Sequence, residues 1–165
     1  MNMGTKYIPM AVYGTLKKFM SNHEHFLEQA AYGGTVYMEF EKMSTRGFPR
    51  VTFGSTSIQS KENDQSRKIL ECELYLVDDN ELRNIDRLEG EGSFYRRVKK
   101  TYAVFDSEKK QLNFGQAFVY EILPKNRSSQ EAEYDLTPYK IEDGRTAEIR
   151  EALGGGDITF YSWKQ

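Results

Sequence analysis

Short apolar runs separated by polar segments and glycines are the main pattern along the chain. They predict strands at Tyr7–Val12, Val36–Phe40, Arg50–Phe53, Ile69–Val77, Tyr95–Phe105, Leu112–Leu123 and Ile158–Trp163. The fifth and sixth of these strands flank the polar turn Asp106–Lys110, which predicts a hairpin. Many short strands with few helices favour an α+β domain in which a small mixed β-barrel or curled sheet is flanked by short helices.

A helix is predicted directly after the strand Ile69–Val77. Asp78 can cap it, and Glu81 three residues later completes a capping-box pattern. Leu82, Ile85 and Leu88 recur at helical spacing, so they fall on one face of the helix. Gly90 stands where a left-handed glycine would end the helix.

Two further helices and three loops complete the prediction. One helix is expected from a cap at Ser21 or Asn22 to about Ala30, with Phe26 and Leu27 facing inward and Gly33-Gly34 as its break. The other is expected at Thr146–Leu153, ended by Gly154-Gly155-Gly156. Loops are expected at the turn Gly47-Phe48-Pro49, at the polar stretch Ser55–Lys68, which we interpret as a mobile surface loop, and at Asn126–Glu133.

Length and charge restrict the class of protein. The 165 residues suit one domain spanning 1–165, and the net charge of −2 gives no global field toward nucleic acid or an anionic membrane. The N-terminus shows no signal-peptide pattern, and no apolar run approaches a membrane span. A single cysteine, Cys72, excludes an internal disulfide and fits a reducing compartment. We therefore expect a cytoplasmic protein with no membrane partner.

The first candidate for chemistry is the stretch Tyr13-Gly14-Thr15-Leu16, which follows the apolar run Ile8–Val12. Gly14 can adopt dihedral angles that are closed to other residues, so the turn can expose successive backbone N–H groups. Such a nest of donors can bind a carboxylate or an anionic oxygen. The alternative is an ordinary exit from a strand, and the stretch alone favours that alternative.

The second candidate is Glu89, the last residue before Gly90 in the predicted helix. The negative end of the helix dipole and the like charge of Glu91 both disfavour its ionised form, which is the direction needed for a base active near neutrality. The alternative is a solvated helix end, the more common situation for a single glutamate.

Other candidates point to structure rather than chemistry. His23 and His25 lie two apart on a predicted helix and face different ways, so a shared metal is not expected. Cys72 fits a packed thiol, and Gly154-Gly155-Gly156 lacks the Lys-Ser/Thr of a phosphate loop. The basic strand Arg96–Lys100 could be a nucleic-acid face, but strand alternation separates its cations onto two faces.

Several motifs in one order resemble the γ-glutamylcyclotransferase-like family, and most of all its γ-glutamylamine branch. They are Tyr13-Gly14-Thr15-Leu16-Lys17-Lys18 with Asn22-His23, then Gly47-Phe48-Pro49, then Glu73–Asp78 followed by Asp86-Arg87-Leu88-Glu89-Gly90 and Tyr95-Arg96-Arg97, and finally Ala117-Phe118-Val119-Tyr120. The similarity covers roughly Tyr7–Tyr120.

The resemblance implies an enzyme, an acyltransferase or lyase that cyclises the γ-glutamyl group of a γ-glutamyl amine or isopeptide-like substrate to 5-oxoproline. Glu89 would move the protons, while the N–H groups of Gly14, Thr15 and Leu16 would bind the α-carboxylate or the oxyanion. Tyr13, Tyr95 and Tyr120 would line the pocket, and neither a metal nor an organic cofactor is implied. The partner is then a small molecule rather than nucleic acid.

Two alternatives stay open at this stage. One is a binding module of the same fold without turnover, and the other is a small nucleic-acid-binding barrel that uses the basic strand. The leaving amine and the oligomeric state do not follow from the sequence.

Overall fold

The computed structural model describes residues 6–14, 16–18, 20, 22–44, 50–59, 66–92, 94–123 and 140–163. The strands are β1 (Ile8–Val12), β2 (Ala31–Glu39), β3 (Lys42–Ser44), β4 (Arg50–Thr52), β5 (Arg67–Val77), β6 (Tyr95–Asp106), β7 (Gln111–Ile122), β8 (Lys140–Ile141) and β9 (Ile158–Tyr161). The helices are α1 (His23–Phe26), α2 (Asp79–Glu89) and α3 (Gly144–Ala152).

Five strands close into a barrel in the order β1-β7-β6-β2-β5, and the ring closes because β5 also pairs with β1. The β1–β7 pair is parallel and the other four pairs are antiparallel, so the barrel is mixed. Strands β9 and β8 extend the sheet beyond β5, while β3 and β4 form a separate two-stranded sheet. The prediction of an α+β fold built on a small mixed barrel with short flanking helices is confirmed.

Strand β5 carries two different neighbours along one edge. Its last five residues pair antiparallel with β1, from Glu73 to Val77, and its first four pair parallel with β9, from Arg67 to Leu70. Because β1 runs toward Glu73 and β9 runs toward Leu70, the two strands end facing each other across the middle of β5. The turn that follows β1 and the residues that follow β9 therefore meet.

The core consists of three hydrophobic clusters. The first includes the barrel residues Val36, Met38, Leu70 and Val119, together with Phe53, which follows β4. The second lies between α2 and the barrel and includes Met10, Leu27, Tyr75, Ile85, Tyr95 and Tyr120. The third packs α3 and β9 against the outside of β2, and it includes Tyr37, Ile149 and Phe160. The second cluster supports the end of α2 where the candidate site lies.

Helix α2 begins and ends as the sequence predicts. The Asp78 carboxylate accepts from the Glu81 N–H at 2.8 Å, and the Glu81 carboxylate accepts from the Asp78 N–H at 2.9 Å, which forms the capping box. Gly90 ends the helix in the left-handed region with φ of 61°. Of the three apolar residues on one face of α2, Leu82 and Ile85 are buried, whereas Leu88 is 38% exposed and lies on the cavity described below.

The first predicted helix is too long. Only His23–Phe26 is helical, and Asn22 makes no side-chain capping hydrogen bond. Gly33-Gly34 does not break a helix but lies inside β2, where the pairing with β5 shifts register between Tyr32 and Gly34. Glycine inside a strand often marks a β-bulge, and the sequence pattern did not distinguish a bulge here from the end of a helix.

The prediction of a mobile surface loop at Ser55–Lys68 is wrong for the ends of that stretch. Ile58 is buried against Tyr37 and Ile69, and Arg67 opens β5 with a buried side chain. Three predicted loop stretches lie outside the described residues: residues 60–65, the turn Gly47-Phe48-Pro49 and the loop Asn126–Glu133. Strand β3, which pairs with β4, was not predicted.

The C-terminal elements follow the prediction closely. Helix α3 has its own capping box at Asp143 and Thr146, and Gly154, Gly155 and Gly156 all have positive φ just after it. None of the helices in the described part of the chain is long and apolar enough to cross a membrane.

A buried ion pair ties the 50–59 segment to the barrel. Arg67 Nε and Nη2 lie 2.8 and 2.6 Å from Glu39 Oε1, with the two side chains 4% and 14% exposed. Arg67 Nη2 also donates to the Ile58 carbonyl at 3.0 Å. The guanidinium thus joins two neighbouring strands and the segment that leads away from β4.

Replacing Glu39 by alanine should destabilise the fold strongly, because it leaves the buried Arg67 guanidinium without its counter-charge. We expect a loss of about 3–5 kcal/mol of unfolding free energy, measured by urea denaturation. The matched control is Glu148→Ala, which removes the exposed pair with Lys110 and should cost no more than about 1 kcal/mol. Equal losses in the two variants would contradict this account of the buried pair.

Candidate active site

A cavity of about 330 Å³ opens between the turn after β1, the C-terminal end of α2 and the start of β6. Its walls are formed by Ala11, Val12, Tyr13, Gly14, Leu16, Asn22, Arg87, Leu88, Glu89, Gly90, Phe94, Tyr95 and Tyr120. This volume lies at the small end of ligand pockets, which run from about 300 to 1,000 Å³. The cavity therefore suits a small molecule.

The residues selected from the sequence meet at this cavity. Glu89, Gly14 and Leu16 line it together with all three tyrosines, Tyr13, Tyr95 and Tyr120. Thr15, the remaining member of the predicted set, lies outside the described residues. The structure thus brings the two sequence-distant motifs to one place, while the roles assigned to their side chains and amides stay predictions.

Glu89 is the one carboxylate among the described residues that line the cavity. Burial raises the pKa of its carboxyl from the ordinary 4.5 to about 7. The direction agrees with the sequence argument, but the cause differs. The helix end and the charge of Glu91 were the causes expected from the sequence, whereas the pKa of Glu89 is raised by burial, which removes its carboxyl from water.

The segment after α2 is held by backbone hydrogen bonds. The Glu91 N–H donates to the Asp86 carbonyl at 2.9 Å, and the Phe94 N–H donates to the Gly90 carbonyl at 2.8 Å. The Glu91 carboxylate accepts from the Arg97 N–H at 3.0 Å, so it closes this turn onto β6. These bonds place Phe94 over the end of the helix and keep the wall beside Glu89 in position.

Tyr13 is a structural wall of the cavity. Its hydroxyl donates to the Tyr120 carbonyl at 2.6 Å and therefore joins the end of β1 to β7. Burial, and then the charges of Tyr95 and Glu89, raise the pKa of Tyr13 well above 10. The hydroxyl is therefore protonated at neutral pH, and it donates its hydrogen bond to the backbone of β7.

Tyr120 is oriented from behind by two residues to which the sequence analysis gave no role. Its hydroxyl donates to Asp86 Oδ1, and Arg97 Nη1 lies 2.6 Å from Asp86 Oδ2. Burial and the hydrogen bond to Asp86 raise the pKa of Tyr120. Asp86 lies three residues before Glu89, so one face of α2 carries both the candidate base and the support for a facing tyrosine.

The turn after β1 is tied down at several points. The Lys17 N–H donates to the Gly14 carbonyl at 3.0 Å, and the Lys18 N–H donates to Glu73 Oε1 at 2.7 Å. His23 Nδ1 lies 3.0 Å from the Leu16 carbonyl, which only accepts, so Nδ1 must carry the proton. His23 thus holds this turn.

Among the described residues, no group of three or more histidines, cysteines or carboxylates could hold a metal.

Arg87 is a member of the cavity wall that the sequence analysis did not select. Its side chain is exposed, and within the described residues its guanidinium makes no hydrogen bond or ion pair. It is also the one cationic side chain among the described lining residues. The only sign in the sequence that Arg87 could lie at the site was its place two residues before Glu89. The helical pattern of apolar residues gave no reason to place its side chain at a pocket.

The basic strand that suggested nucleic-acid binding is engaged within the protein. Arg96 Nε lies 2.6 Å from the buried Glu121, Arg97 pairs with Asp86, and Lys100 Nζ donates to the Gly54 carbonyl at 2.9 Å. Cys72 is fully buried, and burial raises the pKa of its thiol. These contacts favour structural roles for both features.

Comparison with known proteins finds relatives named as γ-glutamylcyclotransferase and AIG2-like proteins. A Methanocaldococcus jannaschii protein named putative gamma-glutamylcyclotransferase is 35% identical over 99 residues, which are 59% of this chain and 73% of that protein. The crystal structure of a mouse AIG2-like protein covers 75% of this chain and 81% of its own, with 25% identity and a TM-score of 0.57. Allophanate hydrolase from Kluyveromyces lactis shares the fold alone, with 13% identity and a TM-score of 0.50 over 81% of this chain and 20% of its own.

The family model described as gamma-glutamyl cyclotransferase, AIG2-like, matches residues 10–143, which include every described residue that lines the cavity. That family supports γ-glutamylcyclotransferase activity in general. The chain belongs to the γ-glutamyl cyclotransferase, AIG2-like family.

Proposed function

We propose that this protein cyclises the γ-glutamyl group of a γ-glutamyl amine or isopeptide-like substrate to 5-oxoproline and releases the amine. The observation that carries the proposal is a carboxyl with a pKa of about 7, Glu89, in a small cavity shared with the turn Gly14–Leu16. A carboxyl of this pKa can both accept and return a proton near neutral pH. The choice of an amine-type leaving group and of an acyltransferase or lyase class is part of the proposal.

Glu89 would act first as a base. The α-ammonium of the substrate has a reference pKa of about 8, so transfer of its proton to a carboxylate of pKa about 7 costs only about 1.4 kcal/mol. The same transfer to an ordinary glutamate of pKa about 4.3 would cost roughly 5 kcal/mol. The burial that raises the pKa of Glu89 therefore removes most of the cost of forming the free amine.

The free amine then attacks the side-chain carbonyl carbon of the same glutamyl group. A new C–N bond closes the five-membered ring, and the carbonyl oxygen becomes an oxyanion. When the oxyanion collapses, the original amide C–N bond breaks, and protonated Glu89 gives its proton to the leaving nitrogen. The ring nitrogen, which became positively charged on attack, loses its extra proton to the released amine, so the lactam is neutral and the amine departs as an ammonium ion. One substrate yields one 5-oxoproline and one amine, with no water consumed and with Glu89 restored.

The cavity would act by holding the folded conformer of the substrate. Because the nucleophile and its target belong to one molecule, confinement in about 330 Å³ favours the ring-closing geometry over extended forms. The N–H groups of the turn from Gly14 to Leu16 would bind the α-carboxylate or the oxyanion. A donor to the oxyanion is typically worth about 2.7–4 kcal/mol of barrier.

Glu89→Gln is the direct test of this mechanism. Glutamine keeps the size of the side chain but cannot accept and return a proton, so release of 5-oxoproline should fall by about 10²–10⁴-fold. Binding of 5-oxoproline, measured by calorimetry, should persist. A variant that cyclises a good γ-glutamyl amine at the wild-type rate would exclude Glu89 as the base. A wild type that binds but never cyclises would instead favour the binding-module alternative.

The pH dependence should follow the raised pKa of Glu89. We expect kcat/KM to rise as the pH passes about 7, where Glu89 ionises, and to fall as the substrate ammonium loses its proton near pH 8. A profile whose acidic limb lies near pH 4.5 would contradict a buried base.

The unfolding free energy should also depend on the ionisation of Glu89, but it should fall over the pH range in which the activity rises. Because the folded pKa of Glu89 lies above its unfolded value, ionisation destabilises the fold, and this cost is absent below pH 4.5 and complete above about pH 7. Glu89→Gln should therefore match the wild type at pH 4 and exceed it by roughly 1–3 kcal/mol at pH 8, measured by denaturant unfolding. A pH-independent difference would contradict the linkage.

Arg87 should contribute to substrate binding, because its guanidinium pairs with no other described residue and is the positive charge that the described wall offers to a substrate carboxylate. Arg87→Gln should raise KM about tenfold with little change in kcat. The control is Arg83→Gln on the same helix, whose guanidinium contacts Asn80 away from the cavity and whose loss should leave KM unchanged. Equal KM values for both variants would remove Arg87 from the site.

A further inference from the structure

We propose that Lys17 is a positioning residue that clamps the Gly14–Leu16 turn to the end of β9, which makes the C-terminal strand part of the active site. The inference rests on the proposed function for its catalytic consequence. The clamp itself is a matter of geometry and can be tested without turnover.

The pairing of β5 creates the meeting point. Strand β1 ends opposite Glu73, and β9 ends opposite Leu70, on the same edge of β5. The two chain ends therefore face each other across Glu71 and Cys72. Lys17 extends from the first of these ends, and Ser162 and Trp163 directly follow the second.

The contact between the two ends is buried and polar. Lys17 Nζ donates to Ser162 Oγ at 3.2 Å and to the Trp163 carbonyl at 3.0 Å. Lys17 is only 6% exposed, and Ser162 and Trp163 are each 2% exposed. A lysine is rarely buried unless its ammonium finds partners, and here Ser162 and Trp163, both about 145 positions away in the sequence, accept from it.

A carboxylate completes this network. Ser162 Oγ donates to Glu71 Oε1 at 3.1 Å while it accepts from Lys17, and the Tyr37 hydroxyl donates to Glu71 Oε2 at 3.4 Å. The ammonium is thus linked through one hydroxyl to a negative charge on β5. The serine has a defined orientation, because one of its neighbours only donates and the other only accepts.

The clamp acts on the turn that lines the cavity. The Lys17 N–H donates to the Gly14 carbonyl, and the next N–H, of Lys18, donates to Glu73. The Lys17 side chain adds a third attachment, to a strand that contributes no lining residue itself. Since Gly14 and Leu16 lie on the cavity wall, the position of their amides depends on where Lys17 is held.

Ser162 and Trp163 lie beyond residues 10–143, the part of the chain that matches the family. The comparison with the family therefore does not assign them to the site. We infer that this chain uses its own C-terminal segment to fix a turn that belongs to the shared part of the fold.

Ser162→Ala, Ser162→Thr and Lys17→Met test the clamp. Alanine removes the hydroxyl that links Lys17 to Glu71, threonine keeps it, and methionine removes the ammonium at similar length. Hydrogen exchange of the backbone amides at 14–18 should accelerate in Ser162→Ala and more in Lys17→Met, and threonine should restore the wild-type rates. Ser107→Ala and Lys109→Met, both in the exposed turn between β6 and β7, are the matched controls.

Turnover provides the second readout. We expect kcat/KM for 5-oxoproline release to fall about 3–10-fold in Ser162→Ala and at least tenfold in Lys17→Met, with the acidic limb set by Glu89 unchanged near pH 7. Variants that exchange and cyclise like the wild type would overturn the proposal, as would faster exchange with full activity. A wild type that releases no 5-oxoproline would refute the proposed function, whereas unchanged exchange in Ser162→Ala would refute the clamp alone.

Discussion

The structure depends on the pairing of β5, an eleven-residue strand that closes the barrel through β1 and extends the sheet through β9. Both partners use the same edge, one along the second half of β5 and the other along the first. That arrangement fixes where β1 ends, and the turn from Gly14 to Leu16 starts there. It also brings the chain end after β9 to the same point, so two distant parts of the sequence support one turn.

The opposite wall depends on how α2 ends. The capping box at Asp78 fixes the first turn of the helix, and Gly90 fixes its last, so the eleven residues between them have a defined phase. Ile85 then faces the core, while Glu89 faces the cavity and is partly buried. The resulting pKa of about 7 is a cost to stability and a gain for proton transfer. A solvated glutamate at this helix end would cost less stability but would be too acidic to be an effective base.

Local patterns in the sequence predicted most of the elements, and the motif order predicted which parts of the chain meet. The capping box, the glycine stops and the hairpin depend on neighbouring residues, so they were accessible. The role of Gly33-Gly34 as a bulge was not, because it is set by pairing with β5. The support of Tyr120 by Asp86 and of Lys17 by Ser162 joins residues 34 and 145 positions apart. A polar residue in a strand gives no local sign of which distant partner it will bond.

These distant bonds also limit which groups can do chemistry. Tyr13 and Tyr120 line the cavity, but both hydroxyls already donate hydrogen bonds, Tyr13 to the Tyr120 carbonyl and Tyr120 to Asp86. Their raised pKa values keep both hydroxyls protonated. They define the shape of the site and do not compete with Glu89 for protons near neutrality. Glu89, the one carboxyl group in the described wall, remains to carry a proton. A reaction suited to such a site needs one carboxyl group that takes a proton from the nucleophile and returns it to the leaving group, and a nucleophile supplied by the substrate. Intramolecular cyclisation of a γ-glutamyl group meets both requirements.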